Sequence, residues 1–98
     1  MRAGGLTVAS IEVLLVSGFG CKPCQHVKER LDRLRADFPE VRVEEVDIGS
    51  NRGEALALRY RLAALPGILI NDRMALVGDV SEALLRRELD AARRVPAR

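Results

Sequence analysis

The sequence predicts a single α/β domain in which a mixed four-stranded sheet carries helices on both faces, in the order β-α-β-α-β-β-α. Three observations predict it: apolar runs of strand length alternate with stretches of helical spacing, the third and fourth runs are joined by a short polar turn, and a Cys-x-x-Cys pair stands where the first run passes into the first helix. Ninety-eight residues with 48% hydrophobic content build one core and leave no room for a second, so residues 1–98 form one domain. Its ordered part is expected over about 10–94, with 1–9 and 95–98 as loosely ordered ends.

Ile11 to Ser17 is apolar on both faces, as the interior strand of a sheet requires. From Pro23, the residues Cys24, Val27, Leu31, Leu34 and Phe38 recur at helical spacing until Pro39 ends the pattern. Pro23 suits a first helical turn because no N–H is needed there. Val41 to Ile48 follows as a second strand, its alternation slipping at Glu44-Glu45. Asn51 to about Arg61 is a short helix, with Asn51 as cap and Glu54 three residues on, and Pro66 cannot continue it. Ile68-Leu69-Ile70 and Met74-Ala75-Leu76-Val77, linked through Asn71-Asp72-Arg73, form an antiparallel hairpin. Gly78-Asp79 ends it, and Asp79 or Ser81 caps a last helix that turns Leu84, Leu85, Leu89 and Ala92 inward.

Composition excludes several function classes. The formal net charge is +2, with 16 basic and 14 acidic residues interspersed, which gives no nucleic-acid footprint. Only Phe19, Phe38 and Tyr60 are aromatic, so no platform for stacking bases is expected. Glu12 interrupts the early apolar run, and Gly18 stands where a lipoprotein cleavage site wants a larger aliphatic residue, so that run reads as a buried strand rather than a leader. No stretch reaches the roughly 18 uninterrupted apolar residues of a membrane span. A cytoplasmic protein with no membrane partner is the expectation.

Cys21-Lys22-Pro23-Cys24 holds the only two cysteines. Two intervening residues let the first turn of a helix bring the sulfurs within bonding distance, and the unpaired N–H groups and positive dipole end of that helix favour a thiolate on the first of them. Cys21 is therefore the candidate nucleophile and Cys24 the candidate resolving thiol. Lys22 has two readings: a cation that further favours the Cys21 thiolate, or a solvated loop residue. His26, two residues past Cys24, points about 200° away round the helix and is expected to face solvent rather than join a metal site. Phe19 is either a hydrophobic lip over the disulfide or a core residue.

Taken together, Cys21-Lys22-Pro23-Cys24 after the first core strand, Leu65-Pro66 before the hairpin and Gly78 before the last helix resemble the thioredoxin fold, in its short glutaredoxin-like form. The resemblance covers about residues 10–94. It implies a thiol–disulfide oxidoreductase that reduces protein or small-molecule disulfides, needs no metal or organic cofactor, and is recharged by glutathione or a thioredoxin-reductase-like enzyme. It implies that Leu65-Pro66 is cis and lies against the cysteines, with the Leu65 backbone pairing an extended substrate; an ordinary trans proline that ends a helix is the alternative. Glutathione would be held through Ala64-Leu65-Pro66 and, as a partial match, Gly78-Asp79-Val80-Ser81. The implied site is thus Cys21, Cys24 and Pro66 with Phe19, Lys22, Pro23, Leu65, Gly78 and Asp79 around it. At Leu15, six residues before Cys21, thioredoxins carry a buried acid that helps move the resolving thiol's proton, so here water or another group must serve.

Two other classes use the same cysteines. They could hold a metal ion or a shared iron–sulfur cluster, although two thiolates leave a tetrahedral zinc site half empty and small Cys-x-x-Cys metal carriers usually run β-α-β-β-α-β. They could also be idle in an interaction protein of the same fold.

Overall fold

The computed structural model describes residues 10–94, and the expectations for 1–9 and 95–98 lie outside the described residues. Strands β1 (Ile11–Ser17), β2 (Val41–Asp47), β3 (Gly67–Ile70) and β4 (Arg73–Val77) and helices α1 (Lys22–Leu34), α2 (Asn51–Tyr60) and α3 (Glu82–Arg94) follow the expected order. The sheet runs β2-β1-β3-β4, with β1 parallel to β2 and antiparallel to β3, and β3 antiparallel to β4. The interior strands β1 and β3 are the most deeply buried, because interior strands are covered above and below; β4 is as apolar in sequence but lies at the edge and is only partly buried.

The α1 and α3 face holds the main core: Ile11, Val13 and Leu15 of β1, Val27, Leu31 and Leu34 of α1, Ile68 and Ile70 of β3, and Leu85, Leu89 and Ala92 of α3. On the other face Val16, Val46 and Leu69 are buried beside α2. A Cβ at Gly53 would stand 1.9 Å from the Asp47 carbonyl oxygen, so only glycine lets α2 sit this close to the end of β2.

Several boundaries differ from the sequence reading. Helix α1 ends at Leu34, but the Phe38 N–H still donates to the Leu34 carbonyl at 3.0 Å, and the ensuing turn keeps Phe38 buried where a longer helix would have put it. The cap of α2 is Ser50 rather than Asn51: Ser50 is extended and its Oγ accepts from the Gly53 N–H at 3.0 Å. Ser81, not Asp79, caps α3 through the Leu84 N–H at 3.2 Å. Arg73 belongs to β4, leaving Asn71 and Asp72 as a two-residue loop with φ of 51° and 63°, the left-handed pair that a tight hairpin favours. The slip at Glu44-Glu45 is no break in the strand, since β2 stays in register with β1 from Ile11–Val41 to Ser17–Asp47. Its odd positions Val41 and Val43 pack on the core and Glu45 reaches Lys28 of α1.

Candidate active site

Cys21 is the N-cap of α1. It has extended backbone, and its sulfur accepts the Cys24 N–H at 3.2 Å. The approach is set by Gly20, whose φ of 70° suits glycine, and by the Cys21 N–H, which donates to the Gly18 carbonyl at 3.2 Å. Pro23 lies within the first turn and removes a donor that would otherwise go unpaired. The two cysteines form a disulfide with a Cα–Cα separation of 5.3 Å. Cys24 is 3% exposed while Cys21 is half-buried and Lys22 exposed, so an incoming thiol or disulfide meets Cys21 first.

The Leu65–Pro66 bond is cis and its segment lies against the cysteine loop: a Cβ at Gly18 would stand 3.0 Å from Leu65 Cδ1. The Pro66 carbonyl accepts from the Gly78 N–H at 2.8 Å, tying the start of β3 to the turn that carries Asp79. Phe19, Lys22, Pro23, Leu65, Pro66 and Gly78 thus lie at the end of the sheet that carries the cysteine loop.

Phe19 is fully exposed, which removes the core alternative and leaves an aromatic ring standing in solvent beside the disulfide. Asp79 is engaged within the chain: Arg30 Nη1 donates to one carboxylate oxygen and His26 Nδ1 lies 3.2 Å from the other. Those bonds, the Arg30 one first, hold its carboxyl below the usual range. His26, expected to face solvent, is half-exposed and lies 3.2 Å from an Asp79 carboxylate oxygen. Among the described residues no three His, Cys, Asp or Glu side chains cluster as metal ligands, and no helix is long and apolar enough to cross a membrane.

Sequence reasoning passed over Glu45. Its Oε2 accepts from the buried Ser17 hydroxyl at 2.7 Å and its Oε1 from Lys28 Nζ at 3.1 Å. The Ser17 and then the Lys28 hydrogen bonds hold its carboxyl below the ordinary value of 4.5. The usable signal was parity, because Glu45 shares the α1 face with Val41 and Val43. An open cleft of about 370 Å³ lies here, lined by Ser17, Gly18, Phe19, Glu45 and Asp47.

A disulfide at a helix N-terminus, backed by a cis-proline loop on a β2-β1-β3-β4 sheet, defines a thioredoxin-fold thiol–disulfide protein. No established family profile matches the chain. A disulfide bond formation protein from Brevibacillus choshinensis is 32% identical over 93 residues, covering 88% of this chain and 79% of its own. Similar solved structures are thioredoxin-2 of the malaria parasite (TM-score 0.65, 23% identity, 84% of this chain and 82% of that one), mitochondrial thioredoxin 3 of Saccharomyces cerevisiae (0.66, 17%, 85% and 79%) and Fasciola hepatica thioredoxin (0.65, 22%, 85% and 81%). The chain belongs to the thioredoxin-fold family of thiol–disulfide proteins, and its general activity is that of a thiol–disulfide oxidoreductase.

Proposed function

We propose that the protein is a short, glutaredoxin-like disulfide reductase of the cytoplasm. The observation that carries this reading is the asymmetry of the pair, an accessible Cys21 capping α1 and a buried Cys24 one turn inside it. The Cys21 thiolate attacks a substrate disulfide and expels one substrate thiolate. Cys24 then displaces the second substrate sulfur from Cys21, leaving the substrate reduced and the pair oxidised. Reduced glutathione or a reductase returns two electrons to the pair. The protein needs no metal or organic cofactor for these steps, since both electron pairs move between sulfurs.

Phe19 and the Leu65 backbone form the substrate's docking rim, the ring covering apolar side chains and the extended backbone before β3 pairing a substrate segment. Glutathione fits the same rim, with Gly78 beside it. Asp79, held by Arg30 and His26, shapes the turn and has less freedom to receive an ammonium group.

A second direction, oxidation of substrate thiols, is favoured by one observation: the Brevibacillus choshinensis relative is a disulfide bond formation protein. The test runs both ways. Catalytic amounts of the protein with dithiothreitol should speed reduction of insulin disulfides, whereas the oxidised protein should transfer its disulfide to a reduced, unfolded ribonuclease only slowly. Faster oxidation than reduction would reverse the assigned direction, and inactivity in both would remove the enzyme reading.

A further inference from the structure

The dithiol cycle requires Cys24 to lose its thiol proton before its sulfur can attack, and Cys24 is shut away from bulk water at 3% exposure. Leu15, at the position where thioredoxins carry an acid, is wholly buried and apolar. Its register partner on β2 is Glu45. One step further along the same face of β1 stands Ser17, 6% exposed, the hydroxyl that donates to Glu45 Oε2 at 2.7 Å.

Helix α1 runs back along β1 from the cysteine loop and packs Val27 and Leu31 into one core with Val13 and Leu15, so the ends of the two elements that carry Ser17 and Cys24 lie at the same end of that core. Ser17 and Cys24 are the last buried positions of their elements at this end. Lys28, one helical turn beyond Cys24, reaches Glu45 Oε1 at 3.1 Å, which places this part of α1 beside Glu45. The single Ser17 hydrogen is committed to Glu45, so the free lone pairs of its oxygen can only accept. A hydroxyl that donates to a carboxylate while accepting from a thiol passes a proton onward.

We propose that Glu45, acting through the Ser17 hydroxyl, takes the Cys24 proton as the mixed disulfide resolves, doing from β2 what an acid at position 15 would do from β1. The inference rests on the dithiol reading above. The Cys24 proton moves to the Ser17 oxygen as the Ser17 proton moves to Glu45. Cys24 Sγ bonds to Cys21 Sγ, the bond from Cys21 to the substrate sulfur breaks, and its electron pair leaves on the substrate thiolate. The cysteine pair is oxidised by two electrons and the substrate reduced. Through the open cleft the proton passes from Glu45 to water or to the departing thiolate.

The charged groups that face Glu45 are Lys28 from α1 and Asp47 two residues along β2, on the same cleft wall. On the face of β1 that carries Val13 and Leu15, Ser17 is the polar residue. Asp47 accepts from the Gly49 N–H at 3.2 Å and is turned to its own loop. The Ser17 and then the Lys28 hydrogen bonds keep Glu45 ionised, and so able to accept, through the neutral range. Glu45 is a positioning residue here, because it reaches the reacting sulfur through Ser17.

The test mixes reduced protein with excess 5,5′-dithiobis(2-nitrobenzoate) in a stopped-flow instrument. The first thionitrobenzoate leaves in a reagent-dependent step and the second in a reagent-independent step, which is the attack of Cys24 on Cys21. For the wild type this second rate should stay flat from neutral pH down to about pH 5, where Glu45 is still ionised. In Glu45→Gln it should fall about 100-fold at neutral pH, the low end for general-base assistance, and climb about tenfold per pH unit with the thiolate fraction of Cys24. Ser17→Ala should behave alike and Glu45→Asp should recover part of the rate, with far-UV circular dichroism unchanged in all three. Wild-type rates and profile in both Glu45→Gln and Ser17→Ala would overturn the Glu45 role alone. Absence of any reagent-independent second step in the wild type would overturn it together with the dithiol reading.

Discussion

The amide of Cys24 donates to the sulfur of Cys21 at 3.2 Å, so the residue that caps α1 is also the one whose sulfur an incoming substrate meets. Helix capping and thiolate stabilisation are the same interaction. An N-terminal cap that hydrogen-bonds a free N–H satisfies one of four orphan donors, and a sulfur gains most from that donor when it is charged.

In the reduced protein, iodoacetamide near neutral pH should modify Cys21 much faster than Cys24, because Cys21 is accessible and helix-stabilised as thiolate while Cys24 is buried. Peptide mass mapping after a short pulse reads the ratio. Equal labelling of both cysteines would contradict the asymmetry.

Phe19 stands free of the core, so Phe19→Ala should leave stability within about 0.5 kcal/mol of wild type. It should raise KM for a protein disulfide several-fold and leave the rate with small disulfides unchanged. A marked drop in the urea midpoint would show that the ring packs on the protein instead.

Gly53 and Gly67 should respond differently to the same added methyl group. At Gly53 the Cβ meets the backbone of Asp47 and Ile48, which cannot step aside, whereas at Gly67 it meets the side-chain carbons of Leu62 at 2.8 and 2.9 Å. Gly53→Ala should cost about 3 kcal/mol, the upper end of overpacking, and Gly67→Ala about 1 kcal/mol, because Leu62 can swing. Urea unfolding measures both, and equal losses would contradict the close approach of α2.

Glu40 and Arg93 give a pH-dependent element. The Glu40 side chain is 8% exposed and accepts from Arg93 Nε at 2.6 Å, which holds its carboxyl below 4.5. A depressed carboxyl contributes stability above its unfolded pKa and loses it as pH falls through the folded value. Arg93→Gln should therefore be less stable than wild type at neutral pH, with the gap narrowing as acid titrates Glu40. A residual gap should persist, because Arg93 also sits 4.2 Å over the Phe38 ring. A gap of constant size across that range would exclude the ion pair as its source.

Much of this was legible in the residues. Strand β1 announces its place by its apolar run, a signal that β4 shares at the edge, and the hairpin is announced by Asn71-Asp72, the two residues that take left-handed φ. Cys24 and Leu65 stand 41 positions apart in sequence, yet the element order brings the cysteine pair and Leu65-Pro66 to one end of the sheet. What stayed hidden was finer. Ser50 and Asn51 are adjacent residues that can both cap, and only backbone angles separate them. Phe38 continues the apolar spacing of α1 after the helix has ended, since a turn can bury a ring as well as a helix can. Glu45 looks like a solvated residue on an edge strand, and its meaning depends on Ser17 and Lys28, which are distant in sequence and joined only by the fold.

The most direct measurement is the redox equilibrium of metal-free protein in graded mixtures of reduced and oxidised glutathione, with free thiols alkylated and the product weighed. The dithiol account predicts one two-electron transition between Cys21-Cys24 dithiol and disulfide, at a potential between about −270 and about −200 mV, the thioredoxin and glutaredoxin values, and its loss in Cys21→Ser. Thiols that stay reduced across the series, or that form separate glutathione adducts without passing to the internal disulfide, would contradict it.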